Sequence, residues 1–181
     1  MDIRKNASKT MQIVVCALFA AIIAISAQVT VPNPLTGVPI TLHTFGVALC
    51  AAVGGAMTGT VSTAVYVLLG AVGLPVFASM RGGFGVLFGP TGGFLFGFIA
   101  MAFLCGIQMK NLPLRILVSC GGLAVCYLCG AVQYAIVAQT DIITSAALVV
   151  LPFIVKDVLS IVAAQYMAIP IRKAVSSMYH K

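Results

Sequence analysis

The chain has 181 residues, 61% of them apolar and 7% charged, with a mean hydropathy of +1.15. A soluble domain carries about 25% charged residues, so composition excludes a water-soluble globule and indicates an integral membrane protein. Ten Lys and Arg stand against three Asp and no Glu, but the basic residues gather at the chain ends and in a short loop, and no nucleic-acid motif is present. The net charge of +7 therefore bears on membrane orientation and not on nucleic acid.

Arg4, Lys5 and Lys9 precede an apolar run from Met11 to Val31. That run is too long for a signal-peptide core and is followed by further apolar segments, so it reads as a retained first helix behind a cytoplasmic flank, residues 1–10. A crossing needs about 20 apolar residues, or fewer where protein surrounds the helix. On that basis five more spans follow: Ile40 to Val53, Thr58 to Leu74, Thr91 to Met109, Leu114 to Ala138 and Thr144 to Ile171. Gly54, Gly55 and Gly59 blur the boundary between the second and third. Six spans place both termini on one side, where Arg4, Lys5, Lys9, Lys110, Arg115, Arg172, Lys173 and Lys181 also fall. The positive-inside rule makes that side the cytoplasm, with residues 172–181 as a cytoplasmic tail. The opposite side receives the loop from Pro32 to Pro39, a Gly-rich loop and the turn carrying Asp141. A ligand met there arrives from outside. No linker, charge block or internal repeat divides the chain, so residues 1–181 read as a single transmembrane domain, all-α, without the symmetry of an inverted-repeat transporter.

The Gly-rich loop, from Gly73 to Gly93, holds seven glycines, two prolines and Arg81. Backbone of this kind at membrane depth is tolerated only inside protein or along a cavity, so function is sought there. Arg81, Lys156 and Asp157 are the charges that a cytoplasmic flank does not explain. An ionisable group within a span costs about 2.5–3.5 kcal/mol on insertion scales and faces a cavity or a partner. Lys156 and Asp157, about twelve residues into the sixth span, point about 100° apart on a helix, so they do not simply pair with one another and at least one is expected to look for another partner. Two readings stay open: Asp157 meets Arg81 in a buried ion pair, or both face a polar ligand, with Arg81 offering a fork to a carboxylate. Gly82, Gly83 and Gly85 permit close backbone approach to a ligand, whereas Gly93 and Gly97 suit helix packing. No GxxxxGK[ST] is present, so the chain does not itself hydrolyse ATP.

His43 reads as a satisfied polar residue or a ligand contact. The six cysteines lie in apolar runs, and Cys126 with Cys129 forms a lone CxxC without a second pair, so neither a metal nor a cofactor is indicated. No catalytic grouping is visible, so the chain is not read as an enzyme. In the first span Ala17 with Ala21 and Ala20 with Ala24 form small-xxx-small pairs, which pack on a helix of this chain or dock another membrane subunit.

Four blocks carry a resemblance: Val38 to Leu42 (VPITL), Gly70 to Phe77 (GAVGLPVF), Arg81 to Phe94 (RGGFGVLFGPTGGF), and Pro152-Phe153 followed by Asp157. In order and spacing the chain resembles the BioY family of biotin transporters. The resemblance implies the substrate-binding S component of an energy-coupling factor transporter, with six transmembrane helices, in the plasma membrane of a prokaryote. It implies biotin as transported ligand, and as partners a transmembrane T component and two cytoplasmic ATPase subunits, the alanine face of the first span docking the T component. Arg81 would pair with the biotin carboxylate, and Asp157 would accept from the ureido N–H groups. Phe77, Phe84 or Phe88 would cover the apolar middle, with Gly82, Gly83, Gly85, Thr91 and Lys156 completing the site. Two departures stand out. Family members commonly read GDLLK where this chain has Lys156-Asp157-Val158-Leu159-Ser160, so Lys156 is expected to substitute for the lysine missing at Ser160. His43 stands where many members carry Gln. The alternatives are an S component for another vitamin, a non-transport membrane subunit or a membrane-embedded enzyme.

Overall fold

Glycine, proline and β-branched residues set the helix boundaries in this chain, and they shift several of the expected ones. The computed structural model describes residues 9–31 and 38–178, with side chains up to residue 175. Arg4, Lys5 and Lys181, with most of the N-terminal flank and most of the Pro32 to Pro39 loop, lie outside the described residues.

Helix α1 runs Lys9–Gln28 and stops short of the expected Val31. Thr30–Val31 (β1) instead pairs antiparallel with Ile40–Thr41 (β2). β-branched side chains favour the extended form, and Pro32 biases Val31 away from the helical region. The second helix, α2, therefore begins at His43 and ends at Gly54. Gly55, with φ +86°, turns the chain directly into α3, Ala56–Ala71. A 3-10 turn at Ala78–Met80 and the one-turn α4, Phe84–Leu87, punctuate the Gly-rich loop. Helix α5 is Gly92–Cys105, five residues shorter than expected, and α6 is Leu112–Ala138 with Pro113 in its first turn, where the missing N–H costs nothing.

The expected sixth span is two helices. Asp141 caps α7, Ile142–Val149, by accepting from the amides of Ile143 (3.0 Å) and Thr144 (3.4 Å). A break at Val150 then starts α8, Leu151–Met178. Pro152 forces that break, because its ring would clash with the carbonyl four residues back in a continuous helix. Lys156 and Asp157 consequently stand in the second turn of α8, not in mid-span.

Among the described residues three helices are long and apolar enough to cross a membrane: Lys9–Gln28, Leu112–Ala138 and Leu151–Val175. The other three long apolar helices, α2, α3 and α5, have 12, 16 and 14 residues. The shortest is also the most enclosed: ten of the residues of α2 are buried, so it is apolar on every side and forms the centre of the core. Around it, α2 packs on α8, α1 on α3, and α5 along α6. Small residues bring α5 and α6 together, since an ideal Cβ on Gly93 would lie 2.2 Å from the Cys129 carbonyl oxygen and one on Gly97 2.6 Å from Cys126 Cα.

Arg115, counted among the charges on the side of the termini, is buried in the first turn of α6. Its Nη2 donates to Gln165 Oε1 at 2.6 Å, and Gln165 Nε2 donates to Ser119 Oγ and the Cys105 carbonyl, tying α5, α6 and α8 at one end of the bundle. Of the alanine pairs on α1, Ala20 is buried against the core and Ala24 half-buried, while Ala17 and Ala21 are exposed. The two pairs therefore face different surroundings.

If glycine contact sets the α5–α6 distance, Gly93→Ala and Gly97→Ala each lower the thermal midpoint in detergent, by an overpacking cost of about 1–3 kcal/mol. Gly121→Ala, where an added Cβ meets nothing within 4 Å, leaves it unchanged or raises it.

Candidate ligand-binding site

The Gly-rich loop is shaped by one close approach and one tight turn. At Gly70 an ideal Cβ would lie 2.1 Å from the ring of Phe77, so the absent side chain makes room for that ring, which is fully buried. Phe77 N–H then donates to the Arg81 carbonyl (2.9 Å) and Arg81 N–H to the Phe77 carbonyl (3.3 Å), closing a turn across Ala78, Ser79 and Met80. Ser79 and Met80 both have positive φ, 60° and 56°. Non-glycine residues rarely adopt that region, and its cost is borne only where surrounding structure holds it. The result sets Phe77 and Arg81 beside one another on the wall of a cavity.

That cavity encloses about 90 Å³, several times the roughly 10–15 Å³ that one water needs. Its walls come from six places: β2 and the start of α2 (Thr41, His43, Thr44), the loop (Phe77, Arg81, Thr91), the first half of α5 (Phe94, Phe98), mid-α6 (Leu123, Cys126, Tyr127), the end of α7 (Val149), and α8 (Phe153, Lys156, Asp157). Arg81 is exposed, whereas Asp157 is 3% exposed. The cavity thus carries an exposed cation and a buried carboxylate, and aromatic residues in its lining.

Asp157 is held at both oxygens. Lys156 pairs with Oδ1, and Tyr127 OH donates to Oδ2 at 2.8 Å. Lys156 Nζ also donates to the Thr41 carbonyl at 2.6 Å. The expectation that adjacent Lys156 and Asp157 would not pair is corrected: the four-carbon lysine stem bends back across the 100° between them, and the Thr41 carbonyl anchors it there. The Arg81–Asp157 ion pair does not form; Lys156–Asp157 is the ion pair present among the described residues. A carboxylate has about four lone-pair positions, so with two occupied Asp157 retains acceptor capacity toward the cavity.

His43 stands beside this group, 4% exposed, with Nε2 lacking a hydrogen-bond partner. Its ring is fixed edge-on to Tyr66 (5.0 Å between centroids) and against Phe98 (4.1 Å), and Tyr66 in turn meets Phe77 (5.6 Å). A buried, unpartnered imidazole nitrogen costs free energy unless something in the cavity meets it.

The cavity therefore brings together Arg81, Thr91, Lys156, Asp157 and Phe77 of the expected residues. Gly82, Gly83, Gly85, Phe84 and Phe88 are not on its wall. Gly82 packs on the loop's own backbone, an ideal Cβ falling 2.3 Å from the Leu74 carbonyl oxygen. Gly83, at φ +95°, donates its N–H to the Gly70 carbonyl at 2.6 Å. Phe84 and Phe88 are exposed, at 63% and 74%. Tyr127 was not anticipated, although a phenol within an apolar helix must find a hydrogen-bond partner for its O–H. Cys126 also reaches the wall, and all six cysteines are free thiols.

The sequence model of the BioY family matches residues 3–177. The chain is 38% identical over 165 residues to the biotin transporter BioY of Thermotoga maritima, covering 90% of this chain and 96% of that one. It is 36% identical to a probable biotin transporter BioY of Pyrococcus horikoshii (88% and 95%), and 32% identical to the biotin transporter BioY of Rhodobacter capsulatus (83% and 87%). In three dimensions it matches the crystal structure of the S-component for biotin from an ECF-type ABC transporter, with a TM-score of 0.84 over 96% of this chain and 95% of that one, at 23% identity. That likeness establishes the shared fold.

Substitutions at the buried carboxylate rank by what they remove. Lys156→Met leaves Asp157 without its counter-charge and costs about 3–5 kcal/mol, whereas Tyr127→Phe removes one hydrogen bond to a charged group and costs about 1.5–3 kcal/mol. Thermal unfolding of the two purified variants is expected to show that order.

Proposed function

The chain belongs to the BioY family, and from this premise we propose that it is the high-affinity biotin-binding membrane subunit of an energy-coupling factor transporter, mediating biotin uptake. The observation that carries this reading is the chemistry gathered on the walls of one cavity: exposed Arg81, several aromatic rings, and buried Asp157 with Tyr127, Lys156 and His43. Biotin presents complementary chemistry. Its carboxylate meets the Arg81 guanidinium, a planar donor fork suited to carboxylates. Its apolar thioether ring lies among Phe77, Phe94, Phe98 and Phe153. Its ureido N–H groups donate to the free lone pairs of Asp157, and His43 Nε2, which has no partner in the chain, donates as N–H to the ureido carbonyl.

Lys156 takes the role that the family resemblance assigns to a lysine at Ser160, because it is Lys156 that reaches both Asp157 and the cavity. The reading supplies no bond-making step: the protein's work is selective binding and release. The glycines 82, 83 and 85 serve the site through the loop's backbone shape, and Thr91 contributes a hydroxyl at the cavity wall.

Six helices, α1, α2, α3, α5, α6 and α8, cross the plasma membrane of a prokaryotic cell in this reading, with α7 on the outer side. An even number of crossings puts both ends of the chain on one side, and Lys9, Lys110, Arg172 and Lys173 on that side support reading it as the cytoplasm by the positive-inside rule. The loop with Arg81 then opens outward, where the vitamin arrives. Uptake draws on a transmembrane T component and two cytoplasmic ATPases, and the exposed Ala17 and Ala21 give the T component a small-residue contact on α1; Ala20, expected on the same docking face, is buried in this chain's own core and Ala24 is half-buried.

A ligand that binds only the folded state raises stability by about 2.7 kcal/mol at a hundredfold excess over Kd. Biotin is expected to raise the thermal midpoint of the purified chain while other vitamins do not; stabilisation by a different vitamin, or by none, overturns the reading. Arg81→Ala is expected to weaken biotin binding about 10- to 150-fold in calorimetry, equivalent to the roughly 1.5–3 kcal/mol of a hydrogen bond to a charged group.

A further inference from the structure

Two consecutive left-handed residues without glycine, Ser79 and Met80, form the tip of the turn that carries Phe77 and Arg81. Such a conformation persists only if neighbouring groups hold it. The turn's own backbone supplies two hydrogen bonds, between residues 77 and 81. The remaining restraint comes from a side chain 48 residues or more away in sequence. Gln28, the last residue of α1, donates its Nε2 to the carbonyls of Val76 and Phe77, both at 3.0 Å, and its Oε1 accepts from the Met80 amide at 3.0 Å. One amide therefore grips both arms of the turn, and it meets the backbone of a residue at positive φ.

Gln28 is half-buried and lies outside the cavity wall. It has no direct contact to offer a ligand, yet it holds the backbone of Phe77, which lines the cavity, and the turn from which Arg81 projects. A glutamine is suited to this because its amide donates twice and accepts at once, matching two carbonyls and one N–H; neither a carboxylate nor an aliphatic side chain does.

We propose that Gln28 is a positioning residue for ligand binding: it fixes the 76–81 turn in the form that sets Phe77 and Arg81 against the cavity. Loss of its amide frees the turn to relax its positive-φ residues, and a bound ligand then escapes faster. For the identity of that ligand the proposal rests on the function given above, and its first test does not need the ligand.

Gln28→Leu keeps the side chain's approximate volume and removes all three hydrogen bonds. In the ligand-free protein, amide hydrogen exchange over residues 76–83 is expected to accelerate about tenfold or more, while the buried amides of α2 keep their parental rates; a general loss of stability would raise both. Biotin dissociation, followed by chase with unlabelled biotin, is expected to accelerate by a similar factor with a smaller change in association rate. If Gln28→Leu does not fold, Gln28→Glu, which keeps the acceptor for Met80 and loses both donors, carries the same two measurements. Exchange within twofold of the parent overturns the proposal, and so does faster exchange with unchanged biotin dissociation. A parent protein that binds no biotin overturns the functional reading instead, and the exchange result still decides whether Gln28 holds the turn.

Discussion

A carboxylate withdrawn almost wholly from water is the constraint around which this site is organised. Placing Asp157 at 3% exposure is costly unless its charge is matched and its oxygens are bonded. The match comes from Lys156, the bond from Tyr127, and the lysine is itself pinned by the Thr41 carbonyl. Satisfying one charge thus ties together β2, α6 and α8, three elements far apart in sequence. The hairpin between α1 and α2 matters for the same reason, because only an extended Thr41 leaves its carbonyl free for Lys156.

The Gly-rich loop solves a different problem. It must bring an aromatic and a cation to the cavity wall without a regular helix to carry them. Gly70 provides the space in which Phe77 seats, and the aromatic chain through Tyr66, His43 and Phe98 transmits that seating to the centre of the core. Side-chain amides then replace the missing secondary structure at both ends of the loop. Gln28 holds residues 76–80, and Gln133 on α6 donates to the carbonyls of Leu87 (2.7 Å) and Gly89 (2.8 Å). Backbone groups that a helix would satisfy internally are here satisfied by two glutamines, as buried polar groups require.

Most of the helices were legible because apolar runs bounded by glycine, proline and charge leave little choice of structure in lipid. The errors fell where a local signal competed with hydropathy. Its apolar side chain fits Val31 to the first span, but Pro32 and the β-branched neighbours favour the extended form that it adopts. Hydropathy reads the apolar run on both sides of Pro152 as continuous, whereas α7 and α8 are separate helices. The charge of Arg115 indicates a side of the membrane but not its burial, which depends on Gln165, fifty residues away.

By itself, the sequence determined the membrane character, the apolar helices, the irregular loop and the charges that had to be explained, since these follow from composition and from the cost of polar groups in hydrocarbon. It also carried, in four short blocks, the likeness to the BioY family. Tertiary structure alone decided which charges meet. Arg81 and Asp157 were candidates for one another on sign, and Lys156 and Asp157 were expected apart on helix geometry, yet the fold pairs the latter two. The reason is physical: an ion pair depends on the path of a flexible side chain and on the third group that anchors it, here a backbone carbonyl 115 residues distant. The same holds for Gln28, whose role rests on three hydrogen bonds to a turn that no spacing in the sequence points to.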